Sequence, residues 1–376
     1  MPSKSHDELK ELVAQGEIGA ISLDTSIFDR FACNLDSPSL EALEQFIGSP
    51  VQVLLTDVVL GEVRNHLIKS AADKTASLES ALKSFERVRP RRRLAATKAR
   101  ALLRLSAEID AEADNWIAAY LEQVQPEVLK ASEHIDTDKL LKSYFAAEPP
   151  FENAKDKKCE FPDAIALREL ENWAMMNEKF VLAVSNDKGW LDFADSSERL
   201  LVITDLPEAL GFFHQADQHI VERTISLLGD KEKYQLAAEL NDVLVSYVDD
   251  LSPWIDAESP FQFQATYYGA QLTNWTVPEP SEFTVISSDD ETVSITAKFP
   301  VLITAEAEFG FYVHDSGDDI SVGDAYVEKD VSMKVPIVVK VARESGPDDV
   351  PAAMSYELRS NVALDFGYVE PEMEDE

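Results

Sequence analysis

Cysteine is nearly absent from this sequence: Cys33 and Cys159 are the only two in 376 residues. One pair gives no disulfide framework, which excludes a small cross-linked scaffold. No apolar run approaches the roughly 18 residues of a membrane span. The opening stretch, MPSKSHDELKELVAQ, lacks the apolar segment of a secretory leader. A cytoplasmic protein without membrane association is therefore expected. Also missing are a Walker loop, a Gly-x-Ser-x-Gly elbow, a His-Glu-x-x-His helix and a Cys-x-x-Cys pair. Nucleotide-driven, serine-hydrolase, zincin and thioredoxin chemistries thus have no motif to rest on.

Positive charge is scarce as well, with 34 Lys and Arg against 70 Asp and Glu and a net charge of −36. The balance is −13 over residues 1–220 and −23 over residues 221–376. Such a molecule repels nucleic acid as a whole, so any role on a polyanion requires a local basic entrance. The hydrophobic fraction of 45% is ordinary for a folded protein, and the length suffices for two or three cores.

Four short apolar runs read as buried strands: residues 18–23 (IGAISL), 51–55 (VQVLL), 180–185 (FVLAVS) and 200–203 (LLVI). Helical patterns separate them, the alternation of a parallel sheet with helices on both faces. Thr56 can cap a helix whose apolar stripe is Leu60, Val63 and Leu67. Pro162 suits the first turn of another, with Ala166, Leu170, Trp173 and Ala174 on one face. A long helical arm, at about 66–150, lies between the second and third runs and is divided at Pro90 and Pro126. Beyond residue 250 the period changes from 3.6 to 2. Val293, Ile295 and Ala297 begin one alternating run, continued by Val301 and Ile303. Val331 to Val341 form a second, and Tyr356, Leu358, Val362, Leu364 and Phe366 a third. The expected organisation is an α/β domain over residues 1–250, followed by an acidic antiparallel β domain over residues 251–376.

Four acids stand at informative places. Asp24 follows the first strand and Asp187 the third, and the carboxyl ends of parallel strands are where ligands bind at a topological switch. Asp163 begins a helix, and Glu62 lies on the flank of the Leu60/Val63/Leu67 stripe. Each has a plainer explanation. Asp24 and Asp163 can be helix caps, Asp187 a turn former and Glu62 a solvated helix residue. Their order along the elements is less easily explained away.

That order resembles the PIN-domain nuclease family over residues 18–215 or so. The family's motifs read here as Asp24-Thr25-Ser26, Gly61-Glu62-Val63, Pro162-Asp163-Ala164 and Ser185-Asn186-Asp187. The resemblance implies a three-layer α/β/α domain and a metal-dependent nuclease, with Asp24, Glu62, Asp163 and Asp187 as catalytic metal ligands. Ser26 and Ser185 would support those ligands. The sequence departs from the family in the long arm between Glu62 and Asp163. It also has Gly189 where many members carry a further Asp.

Carboxylates without His or Cys favour hard cations, so Mg²⁺ or Mn²⁺ is expected. His66, four residues after Glu62, reads as a surface residue. The basic entrance is sought in residues 87–104, where eight Lys and Arg occur with no acid. On a helix Arg93, Arg100 and Arg104 lie within about 40° of one another, with Leu94, Leu102 and Leu105 roughly opposite. Arg91, Arg92, Arg93, Arg100 and Arg104 form either a clamp for phosphates or a face paired with the protein's own acids. The function expected is an endoribonuclease, RNA being favoured over DNA because most of the family cuts RNA. The alternatives are a structure-specific DNA nuclease and a non-catalytic scaffold for nucleic acid or a partner. The β domain is expected to bind a protein partner or to mediate self-association.

Overall fold

The computed structural model describes residues 5–88, 93–103, 108–151, 160–214, 217–229, 236–315, 318–343, 353–359 and 362–372. Along the first part of the chain run α1 (His6–Ala14), β1 (Ile18–Leu23), α2 (Thr25–Arg30), α3 (Pro38–Glu41), β2 (Gln52–Thr56), α4 (Asp57–Val88), α5 (Arg93–Leu102) and α6 (Ile109–Val124). Then follow β3 (Glu127–Leu129), α7 (Ala131–His134), α8 (Thr137–Ala146), α9 (Phe161–Met176), β4 (Phe180–Val184), α10 (Lys188–Ser196), β5 (Leu200–Ile203) and α11 (Leu206–Gly211). The chain forms two compact units. The first contains residues 1–29, 33–36 and 43–209, and the second residues 30–32, 37–42 and 210–376.

The first unit is a three-layer α/β/α domain. Its five strands run parallel in the order β3-β2-β1-β4-β5. The chain steps from β1 outward through β2 to β3, then returns to lay β4 on the other side of β1. The switch therefore falls between β1 and its two neighbours, where strand ends leave a crevice. β1 is buried at every position, as are the last four residues of β4, which is why both read as unbroken apolar runs. Thr56 accepts the amide of Val59 at 3.2 Å and so starts α4. The buried stripe of α4 is Val59, Val63 and Leu67, with Leu60 only half-buried. On α9, Ala166, Leu170, Trp173 and Ala174 are all buried.

The helical insertion is anchored to the sheet. α4 continues from the domain into it without a break, and β3, inside the arm's span, is an edge strand of the sheet. Gln125, in the left-handed region at φ 50°, ends α6, and Pro126 leads into β3. On α5, Leu94 and Leu102 are exposed rather than packed.

The second unit contains α12 (Gln218–Gly229), α13 (Leu236–Asp249), β6 (Trp254–Glu258), β7 (Gln262–Trp275), β8 (Thr284–Ser288), β9 (Thr292–Asp315), β10 (Asp318–Ala342), β11 (Ala353–Tyr356) and β12 (Ala363–Tyr368). Its main sheet is antiparallel in the order β11-β10-β9-β7, with β8 also pairing β9. Leu240, Leu244, Tyr247 and Val248 of α13 share one core with Phe299, Ile303 and Phe309 of β9 and Val335 and Ile337 of β10. The two helices before residue 250 thus pack with the β domain, and the division falls near Ala209 rather than at residue 250. The alternation from Tyr356 to Phe366 is not one strand. It splits into β11 on the main sheet and β12, which pairs β6 in parallel. Among the described residues no helix is long and apolar enough to cross a membrane.

Candidate functional site

Asp24 leaves β1 at the switch point, its amide donating to the Val184 carbonyl of the neighbouring strand at 3.0 Å. The side chain is almost fully buried. Its Oδ2 accepts the hydroxyls of Ser26 at 2.6 Å and Ser185 at 2.7 Å. Burial pushes the Asp24 carboxyl above its ordinary value, while those hydroxyls and the amides of residues 25 and 26 pull it back. The two serines also join the strand ends: Ser26 Oγ accepts the Asn186 amide at 3.1 Å, and Ser185 Oγ the Asp187 amide at 2.9 Å.

Glu62, half-buried on α4, accepts the Thr25 hydroxyl at 2.7 Å. Asp163 is not a helix cap, for Glu160 holds that place on α9. Its Oδ1 instead accepts the indole N–H of the fully buried Trp190 at 2.8 Å. Asp187 is exposed and caps α10, accepting the amides of Gly189 at 2.6 Å and Trp190 at 3.3 Å. Trp190 therefore restrains two acids at once, through its backbone and through its ring.

The four acids come together. Burial pushes the Asp163 carboxyl up to about 7, and the charges of Asp24, Asp187 and Glu62 add to that push, while the Trp190 N–H opposes it. Thr25 and Trp190 hold acids yet were not singled out from the sequence. Thr25 stands in the Asp-Thr-Ser turn and Trp190 three residues after Asp187, but what each binds depends on how separate elements meet.

Gly189 stands where many of the family carry an additional acid, and a side chain there would have to displace the Asp187 carboxylate. A Cβ there would approach Asp187 Oδ1 to 2.9 Å and Pro150 Cβ to 3.1 Å. Nearby Asp192 is partly exposed and pairs with Lys188 at 3.8 Å.

A tighter group lies one turn away. Asp29, Cys33 and His66 each offer a ligand atom, all within 4.8 Å of one another, and could hold a metal ion. His66 is exposed, as expected, and its Nδ1 is 2.7 Å from Asp29 Oδ1. Cys33 is buried, its thiol donates to the same oxygen at 3.3 Å, and burial beside Asp29 pushes it up to about 12.

Of the arginines, Arg100 is already engaged. Its guanidinium donates to both oxygens of Glu79 at 3.0 and 3.1 Å, and to those of Glu86 at 2.8 and 3.3 Å. It ties α5 to α4. Arg91, Arg92 and Arg104 lie outside the described residues, and only the backbone of Arg93 is described.

Residues 21–190, within the α/β/α unit, are similar to the family model described as PIN domain. Neither curated proteins nor solved structures returned a match.

Proposed function

We propose that this protein is a divalent-metal-dependent nuclease hydrolysing phosphodiester bonds, and specifically an endoribonuclease, with Asp24, Glu62, Asp163 and Asp187 as ligands of Mg²⁺ or Mn²⁺. The observation that carries this reading is the Asp163 carboxyl, raised by burial and by the charges of the other three acids. Like charges gathered at a strand-end crevice are costly unless a cation or proton balances them. All-oxygen donors suit a hard ion, which fits the set. When bound, such an ion lowers the pKa of water and neutralises charge growing on phosphoryl oxygens.

The chain's own residues prepare that site. Ser26 and Ser185 fix the orientation of Asp24, Thr25 that of Glu62 and Trp190 that of Asp163. Arg91, Arg92, Arg93 and Arg104 are proposed to contact phosphates, while Arg100, clamped by two glutamates, holds the arm together. RNA is preferred to DNA on the family's habit alone. The acidic second unit is proposed to bind a partner or a second copy.

Cleavage of RNA, single-stranded DNA and duplex DNA with Mg²⁺ and Mn²⁺, by wild type and Asp24→Asn, tests the reading. Metal-dependent RNA cleavage that Asp24→Asn abolishes is the expected result. A preference for duplex DNA over RNA and single-stranded DNA would select a structure-specific DNA nuclease. Nucleic-acid binding without cleavage of any substrate would select a non-catalytic scaffold.

A further inference from the structure

Two short rungs join α2 to α4. Thr25 and Asp29 are four residues apart on α2, and Glu62 and His66 are four apart on α4, so each pair lies on one helix face. Thr25 meets Glu62 at 2.7 Å, and Asp29 meets His66 at 2.7 Å. The first rung belongs to the acid quartet; the second does not. Just beyond α2, Cys33 takes a left-handed backbone, φ 53°, with its amide bonded to the Phe28 carbonyl at 2.8 Å. Its sulfur lies 3.3 Å from the Asp29 oxygen that faces His66. The sulfur side is buried, whereas the His66 and Asp29 side chains are 45% and 43% exposed. One side of the group is therefore open to an ion arriving from solvent.

The donor set is a carboxylate oxygen, an imidazole nitrogen and a sulfur, which is unsuited to Mg²⁺ and suited to a borderline-soft ion. Zinc bonds of ~2.0–2.3 Å in a tetrahedron separate ligand atoms by roughly 3.3–3.8 Å. The Asp29–His66 separation of 2.7 Å lies below that range and the Asp29–Cys33 separation of 3.3 Å at its lower end, with all three atoms within 4.8 Å, so an ion would enter as the Asp29 and His66 side chains part. We propose that Asp29, Cys33 and His66 form a second cation site, selective for a thiophilic divalent ion of the Zn²⁺ class and distinct from the acid quartet. The ion would take the thiolate, releasing the thiol proton to solvent, one Asp29 oxygen, and the Nδ1 lone pair of His66 once the proton that Nδ1 donates to Asp29 has moved through solvent to Nε2. A fourth position would face water. Occupancy would fasten α2 to α4 one turn from Glu62, so that Zn²⁺ adjusts the quartet's setting without joining it.

The test uses the full chain stripped of metal and titrated with Co²⁺, whose thiolate charge-transfer absorption reports a Co–S bond independently of any cleavage. Wild type, Cys159→Ser and Asp163→Asn should all show the band, and Zn²⁺ but not Mg²⁺ should abolish it. Cys33→Ser should lose it. His66→Ala, altering a half-exposed side chain, should weaken Co²⁺ binding by at least the ~10-fold that loss of a ligand's own partner costs. That variant decides the matter if Cys33→Ser fails to fold. A folded wild type with no band, a band that follows Cys159, or unchanged affinity in His66→Ala would overturn the site. None of these results depends on whether the protein cuts RNA.

Discussion

At the scale of single residues, Asp163 separates the explanations of the quartet most cleanly. Asn at that position keeps an oxygen for the Trp190 N–H but removes the charge that Asp24, Glu62 and Asp187 oppose. Without metal, Asp163→Asn should be as stable as wild type or more so, and the gain should be greatest above the Asp163 pKa of about 7, where the wild-type carboxyl is ionised. With Mn²⁺ the order should reverse. A wild type holding the ion at 100 times its Kd gains about 2.7 kcal/mol, and the variant should lose most of that along with cleavage. Thermal melts in chelator and in Mn²⁺ measure both effects. A variant stabilised by Mn²⁺ as strongly as wild type would remove Asp163 from the ligand set.

The residue scale also shows what could be read from sequence and what could not. Asp24 and Asp187 were visible because each stands just after a largely apolar run, as buried parallel strands read. Asp163 and Glu62 were visible through their places on helical stripes. Trp190 was not, because its role is a hydrogen bond to a residue 27 positions earlier, on another helix. Nor was the Asp29–Cys33–His66 group, because His66 joins the i,i+4 pair Asp29 and Cys33 only when α4 packs beside α2. Spacing reveals what shares an element; it does not reveal what two elements bring together.

At the scale of elements, α9 meets α4 through an awkward buried acid. Glu169 is fully buried, and its two oxygens find no donor among the described residues. Burial is the main reason its carboxyl is pushed up to about 8, and the neighbouring Asp57 adds to the shift. A proton on Glu169 turns that repulsion into a hydrogen bond. The ordinary value of the group is 4.5, so between there and 8 the folded chain keeps a proton that the unfolded chain has released. Stability from this group is therefore intact at low pH and declines as pH rises through that window. Glu169→Gln, which is neutral at every pH, should remove the decline. Relative to wild type it should gain little at pH 5 and on the order of 2–4 kcal/mol at pH 9. Urea melts at the two pH values give the comparison, and a gain independent of pH would show that the charge is not the cause.

The arm poses an element-scale question about charge. A phosphate reaching Arg100 must displace two carboxylates that hold it with four hydrogen bonds, whereas Arg91, Arg92 and Arg93 are proposed as contacts. Reversing those three to Glu should weaken RNA binding and flatten its dependence on salt, by ~0.7 in log–log slope for each phosphate that the arm no longer neutralises. Cleavage at saturating RNA should persist. Arg100→Ala should chiefly loosen α5 from α4, seen as faster amide exchange in both helices. Binding curves that keep their slope after the triple reversal would take the arm out of substrate recognition. The arm was legible as an amphipathic helix, but the exposure of Leu94 and Leu102 was not, because periodicity records a face without saying what covers it.

At the scale of the whole molecule, the change of period near residue 250 suggests a removable β domain, and the contents of the second unit argue otherwise. That unit takes in residues 30–32 and 37–42 from the first part of the chain. Phe31 is fully buried, with the Arg359 guanidinium 4.6 Å above its ring. The buried carboxylate of Glu357 accepts the Ser39 amide at 3.0 Å and the Ser37 hydroxyl at 3.4 Å, and pairs with Arg359 at 3.0 Å. Leu240, Leu244 and Tyr247 of α13 pack in the same core as the sheet. A chain cut after Asp250 would keep Phe31 and these α13 residues but lose Arg359 and the sheet that they pack against. Re-exposing a fully buried large apolar side chain costs about 1.5–3 kcal/mol, so uncovering even two or three of the α13 residues forfeits several kcal/mol. A whole domain is commonly stable by only about 5–15 kcal/mol. The truncated protein should therefore be poorly soluble or melt without a cooperative transition, even though all four acids are retained. Expression of residues 1–250 with circular dichroism melts in Mn²⁺ tests this. A soluble fragment that unfolds cooperatively and is still stabilised by Mn²⁺ would show that the segments at 30–32 and 37–42 do not need the second unit.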